Sequence, residues 1–349
     1  MTPVSTPAIL RVWLFVAIVA MAAAGVAGYI RWRLAATVPV ASTGLVDPAE
    51  PAGAAQLARL RQAPHLAFLS RSTSSFDHLG IASIADPSDS ILLAAPTCER
   101  SHFGAQGGLC LELNRESMQP RAHAVLVDRN FQPVAHLPLA GLPIRARVSP
   151  DYRWGAATVF VTGESYAGDF TTRTTIIDLT RGEAIGDLEQ FITERDGQPF
   201  KAVDFNFWGV TFFASGDRFV ATLGTGGQRF LVEGDIPRRH LKVIGNDVEC
   251  PSLSPDGRRI VFKRATKGVS GWRLWARDLA TGEEWPVTDE NQDIDDQAEW
   301  LDNERVLYGV LGQGVPQDGM RIWVSAVARD TGFDAEIFVR SASSPSVIR

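Results

Sequence analysis

The sequence predicts an all-β fold, a six-bladed β-propeller, preceded by a single N-terminal transmembrane helix. Three observations lead to this prediction: an uncharged apolar segment near the N-terminus, short β-branched and aromatic runs separated by Gly, Pro, Asp and Ser, and an internal repeat. The 349 residues are 45% hydrophobic and 21% charged, with a net charge of -6. This composition excludes a disordered chain, and the lack of a basic excess argues against a nucleic-acid binder.

The apolar segment is residues 12–30 (VWLFVAIVAMAAAGVAGYI), 19 residues without a charged side chain. As a helix it would span about 28 Å, close to the hydrocarbon thickness of a bilayer. Arg11 precedes it and Arg31 follows it. We expect an uncleaved signal anchor; a cleaved signal peptide and a buried soluble helix are the alternatives. The short tail of residues 1–11 favours an orientation in which the bulk of the chain is exported.

A spacer separates the predicted anchor from the β-rich part. Residues 31–63 contain several prolines among many Ala, Ser and Gly. This composition is typical of a linker, with one short helical turn around residues 56–61. Residues 64–349 then form the predicted propeller.

The repeat defines six units. Its two clearest copies begin at residues 149–151 (SPD) and 254–257 (SPDG), and each continues into a β-branched strand. An acidic residue closes the second strand of every copy, at Asp86, Asp128, Asp178, Glu233, Asp278 and Asp330. The spacings between these acids run from 42 to 55 residues, the length of one four-stranded blade.

The physical chemistry of one unit agrees with this assignment. In the Ser-Pro-Asp-Gly turn, Pro fixes φ and Gly tolerates a positive φ. We expect the strand after the turn to be the inner strand of the blade, because its apolar run is nearly continuous. One such sheet cannot bury both faces alone, so the units are expected to stack in a ring around a channel.

Residues 250–262 (CPSLSPDGRRIVF) resemble the WD40-like repeat of the TolB family. The resemblance extends over about residues 64–340 and is sharpest in this fifth copy. It implies a TolB-like propeller with six blades. The α/β domain that precedes the propeller in that family is missing here, so the partners of TolB do not follow from the resemblance.

Two motifs suggest catalysis or phosphate binding, and neither meets its structural requirement. Residues 163–167 (GESYA) place Ser165 in a near match to a nucleophile elbow, which needs a helix after the serine. The β-branched run that follows predicts a strand, so we expect a hairpin turn. Residues 224–227 (GTGG) lack the Lys and the helix of a phosphate loop, and also predict a hairpin turn. We therefore assign no catalytic and no cofactor-binding residue.

The densest acidic stretch is residues 289–296 (DENQDIDD). Carboxylates such as those of Asp293, Asp295 and Asp296 suit calcium, but the pattern of an EF-hand is absent. A solvated connection between the fifth and sixth blades is the preferred interpretation, and no metal site is assigned. The six histidines show no ligand spacing and are expected to be isolated surface or turn residues.

Three cysteines leave two interpretations open. Cys98 and Cys110 flank a Gly-rich connection and form a disulfide if the domain is exported. Closing so short a loop contributes about 2–3 kcal/mol in the chain-entropy model. The alternative is three buried free thiols, with Cys250 as the third.

These patterns favour a membrane-anchored propeller outside the cytoplasm that binds or scaffolds a protein or peptide in the cell envelope, without enzymatic activity or a cofactor. The alternative is a hydrolase or lactonase-like enzyme with a calcium–carboxylate site at the channel mouth. A purely structural part of an envelope assembly is a third possibility. The predicted partners are the membrane, through the single span, and one protein or peptide.

Overall fold

The computed structural model describes residues 13, 15–25, 44–115, 121–163, 169–265, 271–289, 294, 296–311, 319–329 and 333–349. The chain divides into two compact units, Met1–Ser42 and Thr43–Arg349. In the first unit, residues 13 and 15–25 are helical, and no helix within the described residues combines the length and apolar character needed to span a bilayer. The rest of the predicted span, residues 12, 14 and 26–30, lies outside the described residues.

The described part of the second unit forms six sheets, numbered here as blades in chain order. Blade one contains, from the centre outward, β26 (Ala342–Ile348), β1 (His65–Ser70), β2 (His78–Ser83) and β3 (Ser90–Thr97). Blade two contains β4 (Arg100–Gly104), β5 (Gly107–Asn114), β6 (Arg121–Asp128) and β7 (Pro133–Leu139). Blade three contains β8 (Leu142–Val148), β9 (Trp154–Thr162), β10 (Thr171–Asp178) and β11 (Glu183–Asp187).

Blade four is the largest, because a hairpin is added at its outer edge. It contains β14 (Asn206–Phe212), β15 (Arg218–Thr225), β16 (Gln228–Asp235), β17 (His240–Asn246), β12 (Ile192–Arg195) and β13 (Gln198–Pro199). Blade five contains β18 (Glu249–Leu253), β19 (Arg259–Ala265), β20 (Trp272–Asp278) and β21 (Glu284–Pro286). Blade six contains β22 (Glu299–Trp300), β23 (Arg305–Val310), β24 (Arg321–Ala326) and β25 (Ala335–Arg340).

The blades close into a ring. The first strand of each blade contacts the first strand of the next, and β22 of blade six contacts β26 of blade one. Strand β26 comes from the far end of the chain and pairs antiparallel with β1, where Leu66 faces Val347. The prediction of an all-β, six-bladed propeller is therefore confirmed.

Six apolar clusters hold the ring together, one between each pair of neighbouring blades. Strand β19 shows how one strand serves two of them. Ile260 and Phe262 pack towards blade four, whereas Val261 packs towards blade six. A strand with neighbours on both faces needs apolar side chains on both, which explains its continuous apolar run.

The expectation that the strand after each Ser-Pro-Asp turn is the inner strand is wrong. In blade five, β18 precedes the turn and lies first in the sheet, and β19 lies second. The apolar run marks the second strand, because that strand is covered by blades on both faces. The true inner strands carry polar side chains.

Helix α1 (Pro51–Leu60) packs on the propeller. It has ten residues where the sequence predicts a single turn, and Pro51 occupies its first turn, where a missing N–H costs nothing. Leu57 and Leu60 are buried in the cluster between blades one and two. The described part of the predicted spacer, residues 44–63, thus belongs to the same compact unit as the propeller.

Candidate functional site

A charged cluster lies where the inner strands meet. Arg147 on β8, His102 on β4, Ser252 on β18 and Glu299 on β22 come from four different blades, and we call them the channel floor. The Arg147 guanidinium pairs with Glu299 through Nη1 and donates through Nη2 to the Ser252 hydroxyl at 2.9 Å. The side chains of Arg147 and Glu299 are only 7% and 11% exposed. The floor therefore links the inner strands across the centre of the ring.

The repeat explains why Arg147, Ser252 and Glu299 lie at the same height in the channel. Four of the inner strands end in a turn in which the first backbone N–H donates to a carbonyl four or five residues later. These donors are Ser149, Phe213, Ser254 and Leu301. The residues two positions earlier are Arg147, Thr211, Ser252 and Glu299. Equivalent positions in four copies of the repeat thus lie at the same height in the channel.

His102 is neutral in this environment. Burial, followed by the charge of Arg147, lowers the pKa of its imidazole. Its Nδ1 accepts the Val148 backbone N–H at 3.1 Å, so the single proton lies on Nε2, 3.4 Å from a Glu299 carboxylate oxygen. Nη1 of Arg147 is 2.9 Å from Nε2. Two donors, one from Arg147 and one from His102, therefore converge on the same carboxylate.

Glu299 is ionised. Burial raises the pKa of its carboxyl, but the Arg147 charge and the hydrogen bond from His102 outweigh burial and hold that pKa at about 2. Its other oxygen accepts the Val347 backbone N–H of β26 at 3.2 Å. A buried carboxylate is tolerated in a protein only when charges and donors surround it in this way.

Beyond the floor, the channel opens into a cavity of about 280 Å³, which we call the mouth. Its walls include Phe103, Phe212 and Trp300, each less than 5% exposed. Its rim includes Pro150 and Pro255 of the two clearest Ser-Pro-Asp turns. The mouth is therefore a small concavity with apolar walls and a polar floor, built on strand ends that the ring holds in place.

The opposite side of the floor is nearly filled. A residual cavity of about 20 Å³ remains there, room for about one water molecule. Gln297 donates to the carbonyls of Val210 at 3.0 Å and Pro251 at 2.6 Å, and Asp296 accepts the backbone N–H of Ser344 at 2.7 Å. Side chains and backbone of the inner strands thus fill most of the space on this side of the floor.

The acidic stretch at residues 289–296 is only partly described. Asp296 is 3% exposed and bonds to the backbone of β26, whereas Asp293 and Asp295 lie outside the described residues. Within the described ranges, no group of three or more His, Cys, Asp or Glu side chains has the arrangement of a metal site.

Cys98 and Cys110 form a disulfide in this structure. The sulfur atoms of Cys98 and Cys110 are joined, with their Cα atoms 5.3 Å apart. This link ties the end of blade one to β5 of blade two. Cys250 is buried on β18 as a free thiol.

The motif at residues 224–227 lies in a hairpin. Strands β15 and β16 pair directly through Thr225 and Gln228, and Gly226 and Gly227 both have positive φ, which confirms the hairpin prediction there. Ser165 lies outside the described residues. The element after it is strand β10, paired with β9, and not the helix that a nucleophile elbow requires.

Sequence reasoning missed the channel floor. The expectation that each histidine is an isolated surface or turn residue is wrong for His102 and for His65, which is 6% exposed. A signal was present: Arg145 and Arg147 alternate in an otherwise apolar strand immediately before a Ser-Pro-Asp turn. Charged residues in that place indicate the side of a strand that faces the channel.

No family model matches the sequence, and no curated protein matches it. Among solved structures, TolB from Acinetobacter baumannii is similar with a TM-score of 0.47 and 16% identity, over 82% of this chain and 67% of that one. A TolB-type protein from Agrobacterium tumefaciens gives 0.48 and 13%, over 81% and 92%. The nidogen/laminin complex gives 0.51 and 9%, over 82% and 98%, a likeness that shows the fold alone.

Proposed function

We propose that this chain is a membrane-anchored binding module whose mouth holds an apolar side chain of a protein or peptide partner. The observation that carries the proposal is the mouth itself, a preformed cavity of about 280 Å³ with aromatic walls. Sites for small molecules usually measure about 300–1,000 Å³, so this volume suits one or two inserted side chains. Buried aromatic groups around a small pocket are the usual centre of a protein interface.

The floor supports binding rather than chemistry. Ser252 accepts from Arg147, and the hydroxyls of Ser149 and Ser254 donate to Asp151 and Asp256 in their own turns. The neutral His102 already accepts at Nδ1, and its proton on Nε2 faces Glu299. A general base must have a free lone pair directed at the nucleophile, and His102 offers none to these serines.

Position-specific crosslinking in intact membranes tests the proposal. A photo-crosslinking amino acid would replace Ala105 or Ala214, which line the mouth, or Ala184, which is exposed on the outer strand β11. We expect a discrete protein adduct from both mouth positions and none from Ala184. Identical adducts from all three positions, or no adduct from the mouth, would overturn the proposed site.

We further propose that residues 12–30 anchor the chain and that the propeller lies outside the cytoplasm. The supporting observations are the 19-residue uncharged segment and the joined pair Cys98–Cys110, since disulfides persist in oxidising compartments.

Two measurements on cells test this placement. The chain should stay with membranes in alkaline carbonate. Rapid alkylation should modify only Cys250 after denaturation, and the other two cysteines only after reduction. Three thiols reactive without reduction would contradict the exported placement, and release by carbonate would contradict the anchor.

A further inference from the structure

The apolar side of the mouth is built from one position of the repeat. Pro150, Ala214 and Pro255 each follow the first residue of the turn that ends an inner strand, in blades three, four and five. All three are exposed, and all three line the mouth. Leu253, on the inner strand of blade five, adds a further apolar side chain. A ligand in the mouth therefore contacts apolar side chains from three consecutive blades.

The floor of the mouth keeps one hydrogen-bond acceptor position unused. A carboxylate has about four such positions, shared equally between its oxygens. Oε2 of Glu299 accepts from Arg147 and lies 3.4 Å from the protonated nitrogen of His102. Oε1 accepts the backbone N–H of Val347 at 3.2 Å and no other donor among the described residues. The Glu299 side chain lines the mouth and is 11% exposed, so the unused position belongs to a carboxylate that a ligand can approach.

The charges around the mouth disfavour an ionic ligand. The ionisable side chains that line it are Arg147, Arg349, Glu299 and the neutral His102, so their charges sum to +1. A cation would meet this net positive charge. An anion would approach the ionised Glu299, while the Nη groups of Arg147 and Nη2 of Arg349 already donate to acceptors of the protein. A neutral donor is the group that this floor can accept.

The shape of the mouth places that donor at the tip of an apolar group, because the walls are apolar and the acceptor lies on the floor. A phenol has this form, since its O–H extends the long axis of the ring. The N–H of an indole lies on the side of a two-ring system instead. Buried tyrosine side chains commonly pack the ring against apolar groups while the hydroxyl keeps a hydrogen-bond partner.

We propose that the mouth holds a tyrosine side chain of the partner, with its ring against Pro150, Ala214 and Pro255 and its O–H donating to Oε1 of Glu299. This inference rests on the proposed function, because it takes the mouth as the site of the partner. It narrows the inserted group to an aromatic ring with one neutral donor at its tip.

Ligand-observed NMR of the full-length chain in lipid nanodiscs tests the inference, with empty nanodiscs as the blank. The probes are N-acetyl-tyrosinamide and N-acetyl-phenylalaninamide, which differ by one hydroxyl, and the corresponding amides of tryptophan and lysine. We expect saturable binding of the tyrosine amide. The phenylalanine amide should bind at least about tenfold more weakly, as expected for the loss of a hydrogen bond to a charged acceptor. The tryptophan and lysine amides should also bind more weakly than the tyrosine amide.

Two variants locate the binding. Ala214→Trp fills the mouth and should abolish binding of the tyrosine amide. Ala184→Trp, at an exposed position on the outer strand β11, is the matched control and should leave the affinity unchanged.

Equal affinities for the tyrosine and phenylalanine amides would overturn the hydrogen bond to Glu299. Tighter binding of the tryptophan or lysine amide would overturn the choice of a phenol. The absence of saturable binding, or binding that persists in Ala214→Trp, would overturn the placement of tyrosine in the mouth. Crosslinking separates these failures from failure of the proposed function. If adducts form from the mouth positions while the two amides bind equally, only this inference is lost, whereas absence of those adducts removes the proposed function as well.

Discussion

The Ser-Pro-Asp turns of blades three and five make the same contacts, whereas the inner-strand residues next to them do not. Ser149 and Ser254 each donate to the aspartate two residues later at 2.6 Å, and each accepts a backbone N–H five residues later. Two positions before these serines, Arg147 and Ser252 differ, and they bond to each other at 2.9 Å. Each turn satisfies the hydrogen bonds of its own backbone, so the same residues can serve in both copies. Residues that meet in the channel must be complementary, so the copies diverge there.

We expect the largest loss of stability when the ion pair between Arg147 and Glu299 is broken. Glu299→Gln should lower the free energy of unfolding by about 3–5 kcal/mol, because Arg147 would remain buried without its counter-charge. The matched control is Glu304→Gln, whose carboxylate lies 3.4 Å from Arg259 and is 75% exposed; it should cost less than about 1 kcal/mol. Urea unfolding measures both. Equal losses in the two variants would show that the floor is no more important than a surface ion pair.

The pH dependence of stability tests the ionisation of Glu299 directly. The pKa of Glu299 is about 2 in the folded protein against an ordinary 4.5. A carboxyl group whose pKa is lower in the folded state stabilises the fold at pH values above its pKa in the unfolded state. That contribution disappears as the pH falls from about 5 to 2. We expect the wild type to lose about 3 kcal/mol over this range from Glu299, and Glu299→Gln to lack that slope. Parallel stability curves for the two proteins would contradict the assignment.

Glu189 is the counter-example, a largely buried carboxyl that pairs with no cation among the described residues. It lies in the 3-10 turn Leu188–Gln190 between blades three and four, and its Oε1 has no hydrogen-bond partner within the described residues. Burial raises its pKa to about 7. A carboxyl group whose pKa is higher in the folded state contributes its full stabilisation at pH values below its pKa in the unfolded state. That contribution is lost as the pH rises through 7.

Glu189→Gln should therefore raise stability at pH 8 by about 1–3 kcal/mol and change little at pH 5. Thermal unfolding at the two pH values checks this. Asp187→Asn is a useful comparison, because Asp187 accepts from Thr175 at 2.7 Å and lies 3.5 Å from Arg173. That variant should not be stabilised at pH 8; stabilisation of both variants would point to general charge repulsion rather than burial.

The smallest effect is expected at the repeated turns. Ser149→Ala and Ser254→Ala should each cost about 1–2 kcal/mol, the cost of leaving one backbone N–H and one carboxylate with fewer partners. Because the two turns have the same bonds, the costs should agree within about 0.5 kcal/mol. Chemical denaturation of both variants gives the comparison, and a difference greater than about 1 kcal/mol would show that the copies are not equivalent.

The number of blades and their second and third strands could be predicted, because both depend on local patterns. The apolar run from Ile260 to Phe262 and the turn before it are visible in a single unit. The pairing of Arg147 with Glu299 could not be predicted, since it joins residues 152 positions apart that meet only after the ring closes. The length of helix α1 could not be predicted for a related reason. Leu57 and Leu60 give only a short periodic signal, and the packing of these side chains on the propeller stabilises a longer helix.

The mouth cavity, and not the surface around it, is the site that we propose for the partner. Ala214→Trp would place a large side chain in the mouth while the crosslinking residue at Ala105 reports on the partner in intact membranes. We expect the adduct to disappear while the free energy of unfolding stays within about 0.5 kcal/mol of the unblocked protein. An adduct that persists at its original yield in the blocked protein would contradict the claim.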